Sequence, residues 1–293
     1  MYPAPIHRYS RPLTLEELYA LLNSNDDDVL VLAGGQSAMQ AVKSRMLRPS
    51  HVIDLQALSE LKFIRTKKGT LTMGAMMRYV DIVSSDLIPL ELAALQDAAS
   101  RVGDRQVRNR GTIGGSLCWN YSAACTPATV LALDGKINLI SQGGSTRQIA
   151  ADDFFLGPLE TARSESEILL SVDFKLRGAK SGSAYKKWGL ITDALPVIGM
   201  ATCLHFDNTD RCKHVRIALT GLANGAERCT AAEAVLAGTD ISAEKITQAM
   251  SAACEEVSTY SDSIATAAYR HQLIKTIGSD VLNIAKKRAF GLA

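Results

Sequence analysis

Apolar and polar positions along this chain change period in blocks, and the blocks mark its elements. Residues 12–28, PLTLEELYALLNSNDDD, set leucines at helical spacing behind Thr14 and Glu17, a Thr-x-x-Glu capping box, and run into a polar stop from Asn23 to Asp28. This predicts a short amphipathic helix. Val29 to Gly34, VLVLAG, is a continuous apolar run of strand length, and SAMQAVKSRML then has helical composition until Pro49 ends it. HVIDL predicts another strand, and LKFIRTKKGTLTMGA alternates on both sides of Lys68-Gly69, the pattern of a hairpin.

From Tyr79 to Val102 the pattern is helical, with Pro89 opening a second segment. KINLISQGG and EILLSVDFKL read as strands, separated by DDFFLGPLE, whose Gly157-Pro158 marks a loop. Strands SAYKKWG, PVIGMATCLHF and HVRIALTGL follow, then three helices near 230–237, 242–257 and 264–288. Hairpins mixed with strand-helix steps argue for an α+β fold rather than a doubly wound parallel sheet. The small and basic RGAKSGS, residues 177–183, is the best domain boundary. It divides the chain into 1–176, with lobes of about 1–55 and 56–176, and 177–293, a sheet backed by helices.

Composition narrows the function by exclusion. The chain has 293 residues, 47% hydrophobic and 21% charged, and no apolar run reaches the ~18 residues of a membrane span. Its 32 basic and 30 acidic residues leave a net charge of +2, so no global field selects nucleic acid or an anionic membrane. The N-terminus lacks the basic, apolar and small-residue succession of a secretory signal, which makes the cytoplasm the expected compartment. Six cysteines and five histidines show no C-x-x-C pair and no zinc spacing, so neither a metal site nor a catalytic dyad is expected.

The chemistry lies instead in two glycine pairs. In AGGQS, Gly34 and Gly35 follow an apolar strand and let a ligand approach bare backbone, where amides can form a nest for phosphate and Ser37 can add a hydroxyl. A plain strand-to-helix turn accounts for that pair equally well. The second pair, Gly114 and Gly115, lies 80 residues later in RNRGTIGGSL, beside Thr112 and Ser116 and after Arg108 and Arg110. Two separated turns of this kind suit a pyrophosphate gripped from both sides. Neither matches the Walker loop or the G-x-G-x-x-G dinucleotide turn. Valine at Gly35 or Gly114 is expected to abolish cofactor retention by filling the space of that approach.

With these residues in view, the chain resembles the FAD-binding medium subunits of the xanthine dehydrogenase and carbon monoxide dehydrogenase family of molybdenum hydroxylases. The resemblance is nearly end to end and rests on AGGQS, VRNRGTIGGS, DDFFLGPLET followed by SEILLSVDF, SAYKK and AEAVLAGT. It implies a two-lobed FAD-binding domain followed by a C-terminal antiparallel sheet with helices. FAD is the implied cofactor, and the implied partners are an iron-sulfur small subunit and a molybdopterin large subunit in a dimer of heterotrimers. Such a subunit passes electrons from the iron-sulfur centres through FAD to an external acceptor. The alternatives are a stand-alone FAD oxidoreductase on a related fold and a scaffold that has lost its cofactor.

The resemblance also implies site residues. Val31, Leu32, Ala33, Gly34, Gly35, Gln36, Ser37 and Ala38 match the wrap around the pyrophosphate and adjoining groups. Thr112, Ile113, Gly114, Gly115 and Ser116 match the opposing turn. Leu169 matches a position packed near the flavin and Lys186 one that reaches a polar atom of the ring or ribityl chain, although core packing and a solvated strand lysine account for them as readily. The family's His-x-Asp-Pro and following Asp are replaced here: Trp119, Tyr121 and Cys125 stand in those places. Cys125 is a poor acceptor for ribityl hydroxyls, leaving Tyr121, Ser122, Thr126 or water to substitute. Ala194, beside Asp193, stands where several relatives carry a tyrosine near the flavin.

Overall fold

The computed structural model describes residues 2–22, 28–141 and 144–292. The first lobe alternates strand and helix: β1 (Arg8–Ser10), α1 (Leu15–Leu22), β2 (Val29–Leu32), α2 (Ala38–Lys43) and β3 (His51–Asp54). Its three strands form a wholly parallel sheet in the order β1-β3-β2, with β3 buried along its length. The forward half of the capping box forms at α1, where Glu17 N–H donates to Thr14 Oγ1 at 3.2 Å, while the Glu17 carboxylate accepts from Leu13 N–H at 2.7 Å rather than from Thr14. Of the polar stop expected after it, Asn23 to Asp27 lie outside the described residues.

The second lobe is antiparallel. β4 (Ile64–Lys67) and β5 (Thr70–Gly74) make the expected hairpin, with Lys68 and Gly69 both at positive φ. Five helices follow: α3 (Tyr79–Val83), α4 (Ala94–Arg101), α5 (Arg105–Arg108), α6 (Ile113–Trp119) and α7 (Cys125–Ala132). The helical stretch expected from Tyr79 to Val102 is therefore broken, with Pro89 leading a short 3-10 turn rather than α4 itself. Next come β6 (Lys136–Ile140), β7 (Thr146–Ala150), α8 (Ala151–Phe154), β8 (Phe155–Gly157), β9 (Glu160–Thr161) and β10 (Ile168–Lys175). Gln142 and Gly143, in the stretch read as a strand end, lie outside the described residues. β10 inserts between β5 and β6, giving the order β4-β5-β10-β6-β7.

The C-terminal part is an antiparallel sheet of β11 (Ser181–Trp188), β12 (Ile198–Phe206), β13 (Cys212–Leu222) and β14 (Gly225–Arg228), followed by α9 (Thr230–Leu236), α10 (Ala243–Glu256) and α11 (Ala267–Ala289). This sheet is covered on both faces. Tyr185, Ala201 and Ala218 share one row and pack into the core built by α4 and α7, whereas Ala184, Met200 and Leu219 pack against α9 to α11. α7 is consequently buried along all eight residues, which is why it carries apolar composition without an apolar stripe.

Charges tie the parts together. Arg216 on β13, with 7% of its side chain exposed, binds Asp134 after α7 and Asp152 on α8. Arg177 reaches Asp134 at 3.0 Å and Arg228 reaches Asp152 at 3.2 Å. The adjoining guanidinium groups of Arg216 and Arg177 hold the Asp134 carboxyl below its usual range against the opposing effect of burial.

Candidate functional site

Parallel strands present their carboxyl ends at one edge of a sheet, and ligands of open parallel sheets bind there. The AGGQS motif leaves β2 at that edge. Gly35 has φ +75, a left-handed conformation that a side chain disfavours. Among the described residues, the N–H groups of Gly34, Gly35, Gln36, Ser37 and Ala38 donate no hydrogen bond within the chain, and the Ser37 hydroxyl does not cap α2. Val31 and Ala33, which lead into this run of five free amides, are half-buried and Leu32 is buried.

The second motif is built differently. It is the first turn of a helix, with Thr112 as the N-cap of α6 and Gly114 and Gly115 inside it. Thr112 Oγ1 accepts from Gly115 N–H at 3.2 Å, Ile113 N–H donates to Met77 O, Gly114 N–H to Ala75 O and Ser116 N–H to Thr112 O. These amides are engaged within the chain, whereas those of the first motif are free. The glycines here serve close packing. A Cβ on Gly114 would lie 2.7 Å from Ala75, and one on Gly34 would lie 2.2 Å from the Arg110 carbonyl oxygen. Gly115 faces Ala33, where a Cβ would meet it at 3.3 Å. The two motifs, 80 residues apart in sequence, are thus in backbone contact, and the second braces the first. Valine at Gly114 would collide with β5's exit rather than fill a ligand's space, so that substitution tests folding.

Beyond Ser116 the chain builds a polar shelf. Thr126 Oγ1 donates to Ser116 Oγ at 2.6 Å. Asn120 adopts φ +43 at the end of α6, and its Nδ2 donates to the Gly157 and Glu160 carbonyls at 2.7 and 2.9 Å, leaving its buried Oδ1 without a partner. Tyr121, next to it, is 43% exposed. Cys125 is a core residue: its buried thiol lies against the Tyr185 hydroxyl, and burial pushes its pKa up. Leu169 likewise lies in the core, opposite Leu139 on β6.

Strand parity separates the two lysines of SAYKK. Lys186 points to the helical face and pairs with Asp280 of α11. Lys187 points to the face of Tyr185, where its ammonium donates to the Ala194 carbonyl and burial lowers its pKa. It lines a cavity of about 320 Å³ with Arg101 and residues 188–192. Asp193 closes that segment against Gly103, with Arg108 3.8 Å from its carboxylate. The strand's period of two separates them: Lys186 shares a face with Ala184, and Lys187 with Tyr185.

Residues 5–174 match the model of the FAD binding domain in molybdopterin dehydrogenase, and residues 183–283 that of the CO dehydrogenase flavoprotein C-terminal domain. The chain belongs to this flavoprotein family. It is 33% identical to the carbon monoxide dehydrogenase medium chain of Hydrogenophaga pseudoflava over 85% of its own length and 86% of that protein. It is 33% identical to the nicotine 6-hydroxylase medium subunit of Paenarthrobacter nicotinovorans over 93% and 95%. The solved carbon monoxide dehydrogenase from Hydrogenophaga pseudoflava that lacks the Mo-pyranopterin moiety superposes with a TM-score of 0.92 at 33% identity, covering 98% of this chain and 99% of that one. The chain is thus an FAD-binding medium subunit of the molybdenum hydroxylase family, and its relatives are subunits of multi-subunit dehydrogenases.

The local chemistry fits FAD. A pyrophosphate carries its charge on oxygens that accept only, and five free N–H donors at the edge of a parallel sheet match it without a lysine. The neutral hydroxyls of Ser37 and Ser116 suit the phosphate and sugar-alcohol oxygens beside it. No helix of the described residues is long and apolar enough to cross a membrane.

Proposed function

We propose that this chain is the cytoplasmic electron-transfer subunit of a molybdenum-containing hydroxylase. It takes electrons from an iron-sulfur small subunit, stands beside a molybdopterin large subunit in a dimer of heterotrimers, and delivers the electrons to an external acceptor. The observation that carries the reading is the run of free amides from Gly34 to Ala38, braced by the Thr112–Ser116 helix turn. Bound there, FAD supplies the redox chemistry, exchanging electrons singly or in pairs. The protein's own task is positional. Gly34 to Ala38 would hold the phosphates, Ser116 and Ser37 would offer hydroxyls, and the close backbone contact between the motifs would keep that geometry rigid.

The relatives' names also favour this division of labour. They include proteins named for carbon monoxide, nicotine, caffeine and glyceraldehyde, substrates with no shared recognition chemistry. A common medium subunit across such substrates is expected if the substrate is held on another chain. Purification of the chain with its companions tests the reading. Flavin absorbance together with iron-sulfur features and two co-purifying chains is expected. Flavin alone with substrate turnover would instead identify a stand-alone oxidoreductase, and a colourless chain that refuses FAD would identify a scaffold.

A further inference from the structure

On α6, Thr112, Gly115, Ser116 and Trp119 share one face, and Gly115 sets that face against Ala33 of the first motif. Ser116 is half-exposed there, and behind it sit two buried hydroxyls from other elements. Thr126, on α7 and 3% exposed, donates to Ser116 Oγ at 2.6 Å. Tyr79, on α3 and 5% exposed, lies beside the pair: burial raises its phenol's pKa, and their two hydroxyls act against that rise. Gly111 admits the ring: a Cβ there would stand 2.8 Å from it. Three helices therefore converge on one serine.

A hydroxyl has one proton to donate and two positions at which to accept. Ser116 Oγ accepts on its buried side, so its own proton is left for the half-exposed side. We propose that Thr126 is a positioning residue, whose hydrogen bond fixes Ser116 as a donor to an acceptor oxygen of bound FAD. The inference rests on the FAD reading above and concerns how the cofactor is oriented. Cys125, its thiol turned to Tyr185, supplies no competing acceptor at this face.

The test uses the full chain stripped of flavin, with FAD and ADP as separate probes followed by fluorescence quenching and calorimetry. Removing one neutral hydrogen bond from this chain is expected to weaken FAD by about 3- to 10-fold in Ser116→Ala and in Thr126→Val. The double variant should be no weaker than Ser116→Ala alone, because the two residues act through one contact. Thr126→Ser should restore affinity to within about 2-fold, as expected if the hydroxyl is what matters. Losses shared by ADP would assign the oxygen to a phosphate, and losses confined to FAD would assign it to the ribityl chain; either supports the inference. It is overturned if Thr126→Val leaves FAD affinity unchanged, if its effect multiplies with that of Ser116→Ala, or if Thr126→Ser fails as badly as valine at an unchanged melting temperature. A wild-type chain that takes up neither FAD nor ADP would instead defeat the reading beneath it.

Discussion

Gly34 and Gly35 are neighbours with different physical reasons for being glycine, and a pair of alanine substitutions separates them. At Gly34 the φ is not left-handed, so the obstacle is purely steric. The added Cβ would stand 2.2 Å from the Arg110 carbonyl oxygen and 2.8 Å from Gly111 Cα, both backbone atoms. Ordinary contact begins near 3.4 Å, so the loop before α6 has to retreat by about 1 Å. Overpacking of this kind costs about 1–3 kcal/mol of stability. It also moves Thr112 and Ser116 away from the free amides. Loss of one hydrogen bond to a charged oxygen costs about 1.5 kcal/mol or more, on the order of tenfold in FAD affinity. At Gly35 the Cβ would rest 3.4 Å from the Met39 side chain, an ordinary contact, but at φ +75 it carries about 1–2 kcal/mol of conformational strain. Gly35→Ala is therefore expected to lower the melting temperature while holding FAD better than Gly34→Ala does. Thermal denaturation of the flavin-free chain and FAD titration read the two effects separately. Wild-type FAD affinity and melting temperature in Gly34→Ala would refute the claim that contact between the motifs organises the site.

Three further outcomes are expected. Arg216→Met removes a buried guanidinium that two aspartates share and should cost about 3–5 kcal/mol in urea unfolding, with Asp134→Asn milder because that side chain is 43% exposed; a loss under about 1 kcal/mol for Arg216→Met would show the clamp to be incidental. Acid should act in two windows. Burial, reinforced by Arg177, lowers the His214 pKa from 6.5 to about 4, so the unfolded chain binds a proton the folded one refuses and stability falls as pH drops through that range; hydrogen bonding from Arg147 lowers Glu167 from 4.5 to about 2, so its contribution, complete above 4.5, is lost on the way down to 2. His214→Phe and Glu167→Gln should each flatten only its own window in pH-dependent unfolding. Finally, Lys186→Met should leave FAD affinity intact and cost at most about 1 kcal/mol, as an exposed ion pair does, whereas Lys187→Met should change FAD affinity or the flavin spectrum; the reverse order would contradict the parity of β11.

Most of the fold could be read from period and punctuation. The Thr14–Glu17 box, the Lys68-Gly69 hairpin and the three closing helices each carry a local signal that agrees with their tertiary role. Two of the missed strands share a cause. β1 is three largely exposed residues, and β7 lies at a sheet edge with three of its five residues exposed, so neither shows an apolar alternation. Direction was also hidden. The buried β3 has the same composition in a parallel or an antiparallel sheet, and only its partners β1 and β2 make this lobe parallel.

The two glycine motifs show where local reading reaches its limit. As sequences, AGGQS and TIGGS differ by little: paired glycines beside a hydroxyl. What separates them is where their amides go, and that depends on β5, 40 residues upstream, delivering Ala75 and Met77 as acceptors to the second motif but nothing comparable to the first. The same logic explains Cys125. It stands where the resemblance implies a cofactor contact; its thiol lies by Tyr185, and Thr126, one residue on, makes the contact with α6. A helix rotates by about 100° per residue, so a motif that fixes position to within one residue does not fix which side chain faces the ligand. Flavin sites built at helix starts are therefore better inferred from which donors and hydroxyls remain unengaged after the fold is formed than from which residues align.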